Sequence, residues 1–549
     1  MLKRLWGWWF TKSKRDQFLD HIGEARIYEE WIAAARSLDE CMDYDMWRQD
    51  PMSKHYNYRL IQERSTSLYT ALEEQDIDRM VKILQPGLVR NLGNITSSPL
   101  YNKAFEGTKF LIEDYVGQVA DCIDLITMAP VTPTPGAPFS HQEKLETLHS
   151  MRLALGRTAL VLQGGAIFGL CHLGVVKALH LRGLLPRIIV GTATGALIAA
   201  LVGVHTEEDL LQALSGSHIN IEAFTKRSNA NTDTQRGWTH TLLRRLKRWW
   251  ATGHLLDVDV LEEVLKANIG DLTFEEAYEK TKRILNITVN TSGGGGVPSL
   301  LNYMTAPNVL IRCAALASNT TASSALYRPV TVLCKNHLGE IEPWPLAAQA
   351  TFRPSTHASY GDRRSPLHRL SQLFNVNHYI VSQARPYLAP FLRSDLHHPN
   401  PKQDGRWRLV KPILRFAVLE VQHRLRQLDQ LGLMSPSIRR FLLDEDVPGA
   451  SLTVVPELSP TDFLKLLENP TTDMIDYWIH KGERSVWPAV AALLVRTGIE
   501  IEIERGYQVV RRRRQPAAAR AEGTKVKGHR KRTQSFDQGG GKHSSLKLQ

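Results

Sequence analysis

Thr158 to Val202 reads TALVLQGGAIFGLCHLGVVKALHLRGLLPRIIVGTATGALIAALV, and this stretch decides the fold. Thr158-Ala-Leu-Val-Leu162 is a short apolar run ending near Gly164-Gly165, the pattern of a buried strand feeding a glycine turn. From Gly169 to Leu181, apolar residues recur at helical spacing at Leu170, Leu173, Val176 and Leu179. The glycines therefore open a helix N-terminus, whose outward backbone N–H groups suit an anion. A second apolar run, Ile188-Ile-Val190, enters Gly191-Thr-Ala-Thr-Gly195 and leaves as the small-residue helix Ala196 to Val202. Strand, Gly-x-x-x-Gly, helix is the layout of a nucleophile elbow, in which flanking glycines permit a sharp turn that exposes the central side chain. Here that side chain is Ala193, and a methyl group cannot attack a carbonyl.

The pair QGGAIFGLCHLGVVKAL (163–179) and RIIVGTATGAL (187–197) resembles the patatin-like acyl hydrolases, in particular their fungal and plant triacylglycerol lipase branch. The resemblance implies an α/β fold: a patatin-like three-layer α/β/α hydrolase domain preceded by a helical domain. It also implies an oxyanion hole at Gly164, Gly165 and Gly169, and an elbow whose serine stands between Gly191 and Gly195. A later Asp-Gly would complete a Ser–Asp dyad that uses neither a cofactor nor a metal. Ala193 occupies the serine position. In the family the aspartate shortly precedes a stretch like LSQLFNVNHYIVSQ (370–383), and alignment without gaps on Pro366 and Arg369 places Asp-Gly on Ala358-Ser359. The second catalytic position is thus expected to be lost as well. Candidate substitutes are Thr192 and Thr194, which flank the apex, and Asp362, four residues beyond Ala358. The loop ASNTTASSAL (317–326) is longer and richer in hydroxyls than the apolar, proline-containing version that lines the acyl pocket in relatives.

A chain of 549 residues is long enough for several compact units, and a 43% hydrophobic content marks it as globular. Its net charge of +12 favours an anionic surface. Phospholipid headgroups fit better than nucleic acid, since no zinc-finger spacing or RNA-binding signature occurs. The five cysteines are far apart and include no Cys-x-x-Cys, the pattern of reduced thiols in an intracellular rather than secreted protein. MLKRLWGWWF (1–10) is too short for a secretory core or a membrane span. Its tryptophans at 6, 8 and 9 either rest in a bilayer interface or pack on the domain, and the sequence leaves both open.

The expected organisation is an apolar and basic segment at 1–25, a helical domain at 26–128, a proline-rich linker at 129–140 and the patatin-like domain at 141–392. A helical extension with a late strand follows at 393–504, then a basic disordered tail at 505–549. The helical domain resembles the one that precedes the patatin domain in the lipase branch, through Tyr56-Asn-Tyr58, Arg90-Asn-Leu-Gly93 and Thr108 to Glu113. Between 236 and 250, Trp238, Leu242, Leu246, Trp249 and Trp250 recur at intervals of three and four, with Arg244, Arg245, Lys247 and Arg248 on other faces. This is the pattern of a basic helix lying on a membrane, of a lid, or of a helix that buries its tryptophans in the core.

The resulting expectation is a lipid acyl hydrolase relative, catalytically impaired, that takes an acylglycerol or phospholipid at an anionic membrane or lipid-droplet surface. It would act as partner or regulator of an active homologous lipase. Two alternatives stay open: an active acyl-ester hydrolase or acyltransferase with a non-standard nucleophile, and a non-enzymatic scaffold on such a surface.

Overall fold

The computed structural model describes residues 13–130, 140–164, 166–220, 258–289, 291–292, 297–320, 330–347, 351–352, 366–384, parts of 416–431, 447–457, 462 and 471–534. The chain divides into two compact units. The first comprises Met1–Tyr58, Gly93–Glu113 and Gly156–Thr497; the second comprises Arg59–Leu92, Asp114–Leu155 and Gly498–Gln549.

The first unit is built on a six-stranded sheet. Its strands are β1 (Arg157–Gln163), β2 (Ile188–Thr192), β3 (Ile284–Thr288), β4 (Leu300–Leu301), β5 (Val376–Gln383) and β6 (Ala450–Val454), in the order β6-β5-β1-β2-β3-β4. All neighbours are parallel except the β3–β4 pair. Buried, near-continuous apolar strands are what a parallel sheet covered on both faces requires, and β3 is buried along its whole length. Side-chain alternation separates the two faces. Ala159, Val161, Ile188, Val190, Ile284, Tyr379 and Val381 form one cluster with Leu367, Leu370 and Phe374 of the helix Pro366–Phe374. The opposite face meets the helix α2 (Thr194–Val204), where a Cβ on Gly203 would come within 2.8 Å of the Leu285 side chain. The three-layer α/β/α arrangement is therefore present.

The helix α1 (Cys171–Leu181) follows β1 and crosses the late helix α4 (Thr472–Val486) with backbones touching. A Cβ on Gly174 would lie 1.8 Å from the Ile479 carbonyl oxygen, and one on Gly482 would lie 2.0 Å from that of Cys171. Trp31 of an N-terminal helix packs with Ala25, Ala35 and Trp487, and Arg484 donates to the Ala25 carbonyl at 2.8 Å.

The second unit is helical. Lys144, almost fully buried, donates to the carbonyls of Thr127 (3.1 Å) and Ala129 (2.5 Å), satisfying the C-terminal end of the helix Phe110–Met128. Ion pairs Arg90–Glu500 (3.0 Å) and Arg152–Glu504 (2.8 Å) join its three chain segments.

These units differ from the linear domain boundaries in three respects. Residues 26–58 fall in the unit that contains the sheet, and the helix His141–Leu155 belongs to the helical unit. The strand expected within the C-terminal extension is an edge of the central sheet. Of the basic region expected to be disordered at 505–549, residues 505–534 continue the helix Val490–Gln534, and 535–549 lie outside the described residues. Poverty in apolar residues argues against a core, whereas arginine, alanine, lysine and glutamate are strong local helix formers.

The α1–α4 crossing yields a paired prediction. Gly482→Ala should lower the unfolding free energy by about 3 kcal/mol, because backbone rather than a flexible side chain must yield. Gly117→Ala, inside a helix with nothing within 4 Å of the new methyl, should raise it by about 0.5–1 kcal/mol. Urea denaturation of both variants measures the contrast, and equal effects would refute it.

Candidate active site

β1 and β2 run in register, with Leu162 opposite Gly191 and Gln163 opposite Thr192, so both glycine turns emerge side by side at one sheet edge. This carboxyl edge is where open α/β sheets place ligands. Ala193 is the single residue between β2 and α2, with φ 55° and ψ −123°. An L-residue with a side chain is strained there, by about 1–3 kcal/mol. Its neighbours impose the turn. A Cβ on Gly191 would lie 2.5 Å from the Ala196 Cα, and one on Gly195 would lie 2.1 Å from the Leu162 carbonyl oxygen. Only glycine fits either position.

The apex N–H belongs to neither strand ladder nor helix. Ala193 donates it to the Ser318 Oγ at 3.0 Å, and both residues are 4% exposed. Ser318 sits on the helix α3 (Ile311–Thr320), at the start of the stretch that stood out for its hydroxyls. That composition was the only signal in the sequence for Ser318; its contact with the apex required α3 to pack beside α2.

Gly164 has φ 55° and donates its N–H to the Thr192 carbonyl at 3.2 Å, which ties the first turn to the second. Its donor is thus engaged within the turn rather than turned to a ligand. Gly169 is required for space: a Cβ there would lie 2.6 Å from Thr194 Cγ2 and 3.2 Å from the Gly164 carbonyl. Thr192 Oγ1 pairs with Thr288 Oγ1 at 2.8 Å, and Thr288 in turn donates to the Gly191 carbonyl at 3.4 Å. The hydroxyl of Thr192 is therefore turned toward β3, and the methyl of Thr194 lies against Gly169. Gly165, Ala358 and Asp362 lie outside the described residues, as do Trp238, Arg244, Arg245, Trp249 and Trp250.

A residue not singled out from the sequence completes the first turn. His172 on α1 makes a 2.7 Å hydrogen bond between Nδ1 and the Ser382 Oγ, and its Nε2 lies 3.3 Å from the Gly164 carbonyl. A carbonyl only accepts, so Nε2 carries the proton and Nδ1 accepts from Ser382. The pair has the spacing of a nucleophile and its base, yet both are buried, and the ring is used at both nitrogens, Nδ1 by Ser382 and Nε2 by the Gly164 carbonyl. Their role is to hold the glycine turn. Among the described residues no cluster of His, Cys, Asp and Glu suits a metal ion.

Two predictions follow from this geometry. Ala193→Gly relieves the positive φ and should stabilise the protein by about 1 kcal/mol after the entropy of the added glycine is counted. An unchanged or lower denaturation midpoint would count against a strained apex. Burial pushes the His172 pKa from its ordinary 6.5 to about 4, so the folded protein keeps the ring neutral where the unfolded chain takes up a proton. This contribution is complete above pH 6.5 and is lost as the pH falls toward 4, amounting to about 3 kcal/mol. His172→Gln should flatten the stability profile between these pH values; parallel profiles for the two proteins would refute the assignment.

Comparison with known proteins extends these observations. Residues 8–153 match a domain of unknown function (DUF3336), and residues 160–339 match the patatin-like phospholipase family. The chain is 35% identical to triacylglycerol lipase ptl1 of Schizosaccharomyces pombe, over 87% of this chain and 83% of that protein. It is 29% identical to triacylglycerol lipase 3 of Saccharomyces cerevisiae, over 90% and 88% of the two chains. It is also 31% identical to triacylglycerol lipase SDP1L of Arabidopsis thaliana, covering 90% of this chain and 59% of the plant protein. Similarity of this extent, running through the helical segments and the sheet alike, means that the chain belongs to the patatin-like triacylglycerol lipase family.

Proposed function

We propose that this chain is a catalytically impaired member of its family, one that binds an acylglycerol or phospholipid at the elbow without cleaving it. One observation carries the reading: the apex that would present a nucleophile presents the methyl of Ala193, in a backbone conformation still held for the purpose. Removing the nucleophile of a serine hydrolase costs on the order of a million-fold in turnover. Two hydroxyls near the apex support the same conclusion, since Thr192 is bonded toward Thr288 and Ser318 has no base among its described partners.

The net charge of +12 supports attachment to an anionic membrane or lipid-droplet surface inside the cell. No described helix is long and apolar enough to cross a membrane, so the attachment proposed is peripheral. Partnership with an active homologous lipase is the regulatory role this would serve. The roles of Ala193 and Ala358 as vacated nucleophile and aspartate positions, and of the turn carrying Gly164, Gly165 and Gly169 as the rim of an oxyanion site, belong to this proposal; the Gly164 N–H, bonded to Thr192, shapes that rim and is not a donor to the ligand.

The test combines fluorophosphonate labelling with fatty-acid release from a short-chain ester. The wild type and Ala193→Ser should both be inert, whereas Ala193→Ser with Ala358→Asp and Ser359→Gly should regain turnover. Labelling and turnover by the wild type would overturn the reading and support a non-standard nucleophile. Robust turnover by Ala193→Ser alone would show that a carboxylate such as Asp362 already serves.

A further inference from the structure

We infer that Ser318 is a ligand-binding donor at the elbow apex, giving its hydroxyl proton to the ester carbonyl of a bound acyl lipid. The inference rests on the lipid-binding reading above and names the group that would hold the acyl carbonyl. A serine hydroxyl has one proton to donate and two lone pairs that accept. One lone pair takes the Ala193 N–H at 3.0 Å, which fixes the oxygen beside the apex. Among the described residues, none accepts the Ser318 proton. A buried hydroxyl with an unused proton is costly, and the N–H bond it accepts polarises the O–H into a better donor. The site therefore favours an incoming oxygen acceptor.

Position and rigidity fit that role. Ser318 reaches the backbone of the very residue whose side chain would attack an acyl carbonyl in an active relative, so a carbonyl seated over Ala193 lies within its reach. The helix that carries it is held by Arg312, almost fully buried, whose guanidinium donates to Asp271 (2.5 Å) and Glu262 (2.8 Å). A donor on a doubly anchored helix loses little freedom on binding. Two neighbouring hydroxyls are already occupied, Thr192 by Thr288 and Thr288 by the Gly191 carbonyl.

The chemistry also selects the ligand. Among the described residues, the groups hydrogen-bonded at the apex, namely the Ala193 N–H, Ser318, Thr192 and Thr288, are uncharged. An ionised carboxylate would lose its hydration there without a counter-charge, whereas an ester carbonyl needs only one donor. An acyl ester is therefore preferred to a free fatty acid.

The full-length chain can be tested by equilibrium binding of three eight-carbon probes below their micelle concentrations. They are 1-octanoylglycerol, its ether analogue 1-O-octylglycerol, which lacks the carbonyl, and octanoate. The wild type should bind the ester about tenfold more tightly than the ether, the size of one hydrogen bond, and should bind octanoate less well than the ester. Ser318→Ala should abolish the ester-over-ether preference with ether affinity unchanged, and Ser318→Thr, which keeps a hydroxyl, should retain it. Should the alanine variant fold poorly, Ser318→Cys, with a weak donor, should show a reduced preference at an unchanged melting temperature. A preference that survives in Ser318→Ala, or equal loss for ester and ether, overturns the role of Ser318. Tighter binding of octanoate overturns the ester assignment. Failure of the wild type to bind either glycerolipid overturns the lipid-binding reading itself and this inference with it.

Discussion

The Leu162 carbonyl leaves no room for a side chain at position 195, and much of the site depends on that exclusion. A Cβ on Gly195 would lie 2.1 Å from the oxygen, so α2 starts directly against the end of β1. The close approach forces the chain to reverse within one residue, and that residue is Ala193 at φ 55° and ψ −123°. Strain of this kind persists only where the surroundings over-determine it. Here they include glycines at 191 and 195, the register of β1 on β2, and the hydrogen bond from the apex to Ser318.

The two turns form one structure. Gly164 donates to the Thr192 carbonyl and accepts from His172, so the first turn is tied to the strand leading into the second and to the helix behind it. That helix is pressed against α4 through Gly174 and Gly482, 308 positions apart in the sequence. Late elements of the chain thus support the site: β6 closes one edge of the sheet, and α4 fixes the helix that carries His172. Both lie beyond residues 160–339, the segment that matches the patatin-like family.

An elbow that retains its geometry while carrying a methyl group separates two properties that usually travel together. The backbone conformation is imposed by packing around small residues, and nucleophilicity depends on one oxygen atom and its base. Losing the oxygen leaves the packing intact. What remains is an apex whose described hydrogen-bonding groups are uncharged, with Ser318 held against the Ala193 N–H.

Sequence alone determined the strand–turn–helix repeats, the position of the apex and the methyl group that it carries, because glycine spacing and apolar periodicity are local properties of the backbone. The three-layer fold followed from resemblance carried by those same residues. Tertiary structure decided the rest. The ladder between Gly164, His172 and Ser382 joins three elements across 218 positions, and nothing in the spacing of those residues announces it. The burial that makes His172 a neutral strut rather than a base, and the turn of the Thr192 hydroxyl toward β3, are consequences of packing. The division of the early helices between two units escaped the linear reading because a helical stripe shows that a face is buried without showing against what. Ser318 is the clearest case: its hydroxyl meets the apex only because α3, 125 residues later in the chain, comes to lie beside α2.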